Sequence, residues 1–188
     1  MTVPFDELAD LVRARRTHMF VDVERVVPDA IVDRLCELAT WAPNHKRTWP
    51  WRFAHLTGPA RARLGNAFAD DMADRDFGDD IKRAKTRIKY LRVPSILVVA
   101  SAAHPNPTLH DENRDSVSAG IQNLLLGATT LGLATFWSTP GLSDSAKAKD
   151  LCGFDQTDTI TAVIYIGWST NTAPPPPRPP IPVTHISI

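Results

Sequence analysis

Long apolar runs are missing from this chain of 188 residues, and no segment approaches the ~20 apolar residues that a membrane span needs. The N-terminal residues carry no apolar signal core, so the chain reads as cytoplasmic. Cysteine is scarce as well. Cys36 and Cys152 form neither a disulfide framework nor a Cys-x-x-Cys pair, and Cys36 falls on the apolar face of a helical pattern, as a small hydrophobe would. Net charge is absent, with 21 Lys plus Arg against 21 Asp plus Glu, so no global field draws the protein to nucleic acid or a membrane. Only local clusters of charge remain to act. No Gly-x-Gly-x-x-Gly opens a helix, which argues against a Rossmann dinucleotide site. The stretch from Gly127 to Gly132 lacks the Lys-Ser/Thr of a phosphate loop and ends a helical pattern instead of starting one. Ser138 and Ser143 lack a nucleophile-elbow context. His104, His110, Asp111 and Glu112 match no usual metal-ligand spacing and read better as a solvated loop and helix start.

What is there is concentrated in residues 41–53. Trp41-Ala42-Pro43-Asn44-His45-Lys46-Arg47-Thr48-Trp49-Pro50-Trp51-Arg52-Phe53 packs three Trp, a His, three cations and two Pro between a helical pattern and a strand. Flat aromatic surface, an imidazole and fixed positive charge suit a planar anionic ligand. Two prolines restrict the unfolded chain and pre-set the loop. The plainer reading makes the Trp residues core and Lys46 and Arg47 solvated surface.

Phe5, Leu8, Leu11 and Val12 recur at helical spacing, and the pattern runs out in Arg13-Ala14-Arg15-Arg16-Thr17. A second helix begins near Pro28, places Ile31, Val32, Leu35, Cys36, Leu38, Ala39 and Ala42 on one face, and stops at Pro43. Residues 51–57 read as a strand, 60–75 as an amphipathic helix and 79–92 as a strongly basic helix. The apolar run 95–100 is a strand covered on both faces. A polar loop over 103–110 leads to the longest helix, 111–131, whose second half is apolar nearly all round and so enclosed in a core or subunit interface. A short strand over 134–138, a short helix over 144–151 and a buried strand over 159–167 follow. The segment 172–182 carries seven prolines and reads as extended, and residues 183–188 resume a strand-like alternation, which suggests an arm packing on something such as a partner subunit, with a disordered tail as the plain alternative. The whole is an α+β or α/β layered domain, one domain or one subunit of an intertwined dimer.

Two further groupings carry chemistry. Arg15-Arg16-Thr17 offers two guanidinium forks and a hydroxyl that together satisfy a phosphate monoester, with a solvated helix end as the plain alternative. Phe136-Trp137-Ser138-Thr139-Pro140-Gly141 ends a strand in a Trp, two hydroxyls and a turn, where free backbone groups can meet a heteroaromatic edge.

Taken in order, these pieces resemble the nitroreductase family of FMN-dependent NAD(P)H oxidoreductases, in its short single-domain branch. The family's Arg-Arg-Ser is matched by Arg15-Arg16-Thr17, its Ala-Pro-Asp-His-Lys by Ala42-Pro43-Asn44-His45-Lys46, and its Pro-Trp-x-Phe by Pro50-Trp51-Arg52-Phe53. Ser118-Ala119-Gly120-Ile121-Gln122-Asn123, then Leu131-Gly132-Leu133-Ala134-Thr135-Phe136-Trp137, then Ile164-Tyr165-Ile166-Gly167 complete the series.

The resemblance implies an α+β fold with a central, mostly antiparallel sheet flanked by helices. It also implies an intertwined homodimer with FMN at the subunit interface. Residues 1–172 would form the domain and residues 173–188 a Pro-rich arm packing on the partner subunit. Arg15, Arg16 and Thr17 would hold the flavin phosphate and ring edge. His45 and the position of Trp41 would reach the FMN of the other subunit. Trp137, Ser138 and Thr139 would lie beside the flavin, with Arg178 of the arm as a phosphate contact. Trp41 and Ser138 stand where relatives tend to carry Arg, and both changes remove charge. The implied activity is ping-pong hydride transfer from NAD(P)H through FMN to nitroaromatics, quinones or a related small acceptor, with no protein nucleophile. A flavin-binding storage or sensing protein is the alternative, as is a relative using reduced flavin for another reaction.

Overall fold

In the computed structural model, residues 3–187 are described. Four strands, β1 (Trp51–Thr57), β2 (Ser95–Ser101), β3 (Leu133–Ser138) and β4 (Thr159–Trp168), form one antiparallel sheet in the order β1-β2-β4-β3. The two central strands, β2 and β4, are the β-branched apolar runs, and β2 is buried along its whole length. A sheet covered on both faces needs two separate apolar layers. Alternation along β2 supplies them: Leu97 and Val99 face one layer, Ile96, Val98 and Ala100 the other.

The first layer is built by α2 (Asp29–Ala39) and α5 (Pro107–Thr130), which set Val32, Leu35, Val117, Ile121 and Leu124 against Ile164 and Ile166. The second is built by α3 (Ala60–Asp74), α4 (Asp80–Ile88) and α6 (Ala146–Cys152), with Leu64, Phe68, Tyr90 and Tyr165 at its centre. α1 (Phe5–Ala14) lies beside α5 and buries none of its residues in this chain. The helices α2 and α5 cross closely at Gly120. A Cβ there would stand 2.5 Å from the Ala39 carbonyl oxygen and 2.7 Å from Trp51 Nε1.

Most element boundaries fall within two or three residues of the sequence reading, and three readings need correction. α5 starts at Pro107, inside the stretch read as loop. Asn106 caps it by accepting from the Leu109 N–H, and Pro107 occupies a first-turn position where no N–H is required. Asp111 and Glu112 therefore stand in its second turn, not at its start. The alternation over 183–188 forms no ladder: among the described residues the tail is extended and unpaired, and Ile188 lies outside them. Residues 89–92 form a 3₁₀ turn that ends the basic helix early.

Candidate active site

The Arg15-Arg16-Thr17 segment leaves α1 and runs beside the edge strand β3. Thr17 bridges Thr135, and the His18 N–H donates to the Thr135 carbonyl at 3.2 Å. This docking presents the two arginines to a cleft of about 800 Å³, within the range usual for small-molecule sites. Gln122 of α5, Pro175, Pro176 and Arg178 of the tail complete the wall. Arg13 and Asp10 at the rim pair with each other at 3.3 Å. Arg15, Arg16 and Arg178 have no carboxylate partner among the described residues.

Arg15 is the most constrained of the three. It reaches Thr17 Oγ1 at 3.4 Å, while its Nε is buried with no hydrogen-bond partner. Burial first, then the guanidiniums of Arg16 and Arg178, push its pKa below the ordinary arginine value. Arg16 donates to the carbonyls of Arg13 and Arg15. Like charges gathered around a buried, unpaired donor are costly unless an anion sits among them. A phosphate fits that need, because its oxygens accept several charge-assisted hydrogen bonds at once.

His45 stands in a second depression of about 300 Å³, with Pro43, Glu112, Asp115, Ser116 and Ala119. Its Nδ1 lies 2.7 Å from Glu112 Oε2. The loop bearing it is strained: Lys46, Arg47 and Trp49 all have positive φ, in the left-handed region that costs an L-residue about 1–2 kcal/mol. Asn44 holds it in place. Its Nδ2 donates to Thr48 Oγ1 at 2.9 Å and Ser116 Oγ at 3.3 Å, and its Oδ1 accepts from the Trp49 N–H at 3.0 Å. Thr48 in turn donates to Asn113, whose amide donates to the Ala102 carbonyl at 3.1 Å. Strain locked by such a network is characteristic of binding loops.

The two depressions share one helix. Glu112, Ser116, Ala119 and Gln122 follow one another along α5 over about 15 Å, so His45 and the arginines address one continuous stripe. The structure thus gathers Arg15, Arg16 and Arg178 on one cleft, leaves Thr17 outside its lining as an acceptor from Arg15, and sets His45 further along the same helix. Trp41, Trp137, Ser138 and Thr139 do not line the arginine cleft. Trp41 is 75% exposed and donates to Glu37. Trp137 is half-buried against the α2/α5 layer, Ser138 is half-buried and Thr139 exposed at the end of β3. Trp51 and Trp49 divide the two readings of the aromatic loop, with Trp51 in the core and Trp49 in solvent. The sequence offered no site role for Asn44, Asn113 or Gln122, and Glu112 read there as a solvated helix start; nothing local signals the distant loop or cleft such polar residues support.

An antiparallel sheet between two helical layers, with a cationic cleft on one of them, defines an α+β protein suited to a phosphorylated ligand. The chain belongs to the nitroreductase family, whose model matches residues 12–168, and is an oxidoreductase of that type. It is 28% identical over 182 residues to YfhC of Bacillus subtilis, a protein provisionally named an NAD(P)H nitroreductase, covering 93% of this chain and 90% of that one. Its fold matches the nitroreductase-like family protein from Bacillus cereus with a TM-score of 0.80 at 24% identity, over 96% and 95% of the two chains. The FMN-dependent nitroreductase NfnB from Mycobacterium smegmatis, solved with NADPH, matches at a TM-score of 0.68 and 18% identity, over 89% and 90%.

Proposed function

We propose that this protein is an FMN-dependent oxidoreductase that takes hydride from NAD(P)H and passes it to small electron-poor acceptors such as nitroaromatics or quinones. The observation that carries this reading is the convergence of Arg15, Arg16 and Arg178 on one cleft, with a buried Arg15 donor and, among the described residues, no carboxylate paired with any of the three, Asp10 at the rim being paired with Arg13. A flavin phosphate suits that charge, and the family and its FMN- and NADPH-bound members supply the chemistry to expect.

FMN, when bound, supplies hydride acceptance and release, so no side chain needs to act as nucleophile. Arg15, Arg16 and Arg178 would neutralise the phosphate, and the Thr17 hydroxyl, held by Arg15, would donate beside it. Any positive group near the ring edge would favour an electron-rich reduced state, since preorganised charge acts strongly where water is partly excluded. His45, oriented by Glu112 through Nδ1, would present Nε2 to the ligand edge. Trp137 would limit the space beside β3, with the Ser138 and Thr139 hydroxyls as hydrogen-bonding groups there.

A second copy of the chain completes the proposal. α1 leaves Phe5, Leu8 and Val12 exposed, and the tail leaves Ile181, Val183 and Ile186 exposed. Apolar surface of this kind on a helix and an extended arm suits an isologous partner. In a homodimer, His45 and Trp41 of one subunit would approach the arginine cleft of the other, and residues 173–188 would act as an arm on the 1–172 domain of the partner. The absence of arginine at positions 41 and 138 supports a second reading, a flavin-binding protein with little turnover. Anaerobic NADPH and NADH separate the two. Rapid bleaching of the bound flavin supports the reductase, and a flavin that stays oxidised with both donors supports storage or sensing.

A further inference from the structure

The turn that follows β3 leans on the basic helix α4. Gly141 comes so close to Phe77, in the loop between α3 and α4, that a Cβ there would stand 3.3 Å from the ring. Phe77 is partly exposed and carries the Lys82 ammonium over its ring, 4.4 Å from the centroid. Gly141 and Leu142 share a small crevice with Phe77, Lys82 and Lys89. Lys89 also lines a second depression, of about 280 Å³, with Lys85, Ile88 and Arg92. It therefore joins the two. From the end of β3, where Trp137, Ser138 and Thr139 stand, the surface runs past Lys82 to Lys89, Lys85 and Arg92. Positions 82, 85 and 89 are three and four residues apart, so their side chains fall on one side of the helix.

None of these four cations has a carboxylate partner among the described residues. The acids nearby are engaged otherwise: Asp70 pairs with Arg87, Asp76 and Asp80 with Arg83, and Asp79 caps the helix. Lys89 is held below the ordinary lysine pKa by burial first, then by Arg92 and Lys82. Cations gathered without partners repel one another, and an anion among them relieves the repulsion. A phosphate monoester suits this best, because it carries close to two charges at neutral pH and several acceptor oxygens.

We infer that this basic face reads the 2′-phosphate of NADPH and makes the protein select NADPH over NADH. The inference rests on the oxidoreductase reading above and names its hydride donor. On that reading the flavin phosphate takes the arginine cleft beside α5, and the ring edge lies at the end of β3. A dinucleotide whose nicotinamide meets that ring has to carry its adenylate half away from the arginine cleft, which is already filled. The turn over 139–142 leads that half to Phe77 and to the cations beyond it. NADPH differs from NADH only by the 2′-phosphate, so unpaired positive charge at this end is what discriminates between them.

Isothermal titration with adenosine 2′,5′-bisphosphate and with 5′-AMP tests this without turnover, at saturating FMN so that the arginine cleft is closed to both. The bisphosphate is expected to bind at least about ten-fold tighter, as charge-assisted contacts to the extra phosphate require. That preference should shrink with added salt. Lys85→Gln with Arg92→Gln should abolish it. In the flavin-loaded protein the same pair should raise KM for NADPH by about ten-fold or more and leave kcat and the NADH KM unchanged. Equal binding of the two nucleotides overturns the inference. So does an equal kcat/KM for NADH and NADPH in a protein whose flavin both donors bleach, a result that leaves the oxidoreductase reading standing. A bisphosphate preference that survives the double substitution also overturns it, by placing the 2′-phosphate elsewhere. Selective loss of turnover with 4-nitrobenzoate over nitrobenzene, with donor preference kept, would overturn it by assigning the face to an anionic acceptor. A protein that retains no flavin fails the underlying reading instead, and the nucleotide titration still decides this one.

Discussion

Arg15 and Arg16 are adjacent in sequence but differ in surroundings, and the difference shapes what each substitution should do. Arg15 is half-buried with an unpartnered Nε, whereas Arg16 is bonded to main-chain carbonyls. On the proposed reading, Arg16→Ala should weaken FMN binding by more than ten-fold, because a charge-assisted contact contributes about 1.5–3 kcal/mol. Isothermal titration of the apoprotein with FMN measures it, and an unchanged affinity removes Arg16 from the phosphate site. Asn44→Ala strips the restraint from three left-handed residues and should cost about 1–3 kcal/mol of stability, read by urea denaturation. A variant as stable as the parent would show that the loop holds its shape without that network. Arg15, Arg16 and Thr17 stood out in the sequence as a candidate phosphate site because they are contiguous and each has phosphate chemistry of its own. Arg178 entered only through family resemblance. Glu112, Asn113 and Ser116 were out of reach, since their partners in the loop lie 67, 65 and 72 residues away. Pairings of that range are made by the fold, and nothing local announces them.

At the scale of elements, apolar periodicity located nearly every helix and strand, and it failed where capping overrides it. The first turn of α5 is Pro107-Thr108-Leu109-His110, which looks like loop until the Asn106 cap is seen. Periodicity also says which residues share a face, yet not what that face meets. The apolar sides of α1 and α4 both look outward in this chain, a fact that only packing reveals. The crossing of α2 over α5 was equally hidden, because Gly120 reads as an ordinary small residue in a helix. Gly120→Ala should destabilise the protein by about 1–3 kcal/mol, the usual cost of overpacking, since the obstructing atom is a backbone carbonyl that cannot swing aside. Thermal unfolding followed by circular dichroism checks this, and a transition at the wild-type temperature would mean the two helices have room to separate.

The whole molecule should be sensitive to alkali. Burial pushes the Cys152 thiol, and burial with Asp33 the Cys36 thiol, up to about 12 from an ordinary value of 9.0. Tyr90 and Tyr165 are also raised, chiefly by burial. Each group therefore keeps its proton longer in the folded chain than in the unfolded one. Stability from these groups is fully present below pH 9.0 and is lost as pH rises toward about 12. Denaturation midpoints measured across that window should fall, and Cys36→Ala with Cys152→Ala should flatten part of the slope. A flat profile in the parent would mean these groups are better hydrated than their burial implies. The exposed apolar faces of α1 and the tail make a mass of twice the 20.7 kDa chain the expectation in light scattering, lowered by truncation after residue 172. The most direct measurement for the central proposal is the visible spectrum of the purified protein, before and after incubation with FMN and desalting. A retained flavin absorbance that NADPH or NADH bleaches under anaerobic conditions, and that Arg15→Ala/Arg16→Ala fails to retain, is the expected result. A protein that remains colourless after FMN treatment would contradict it.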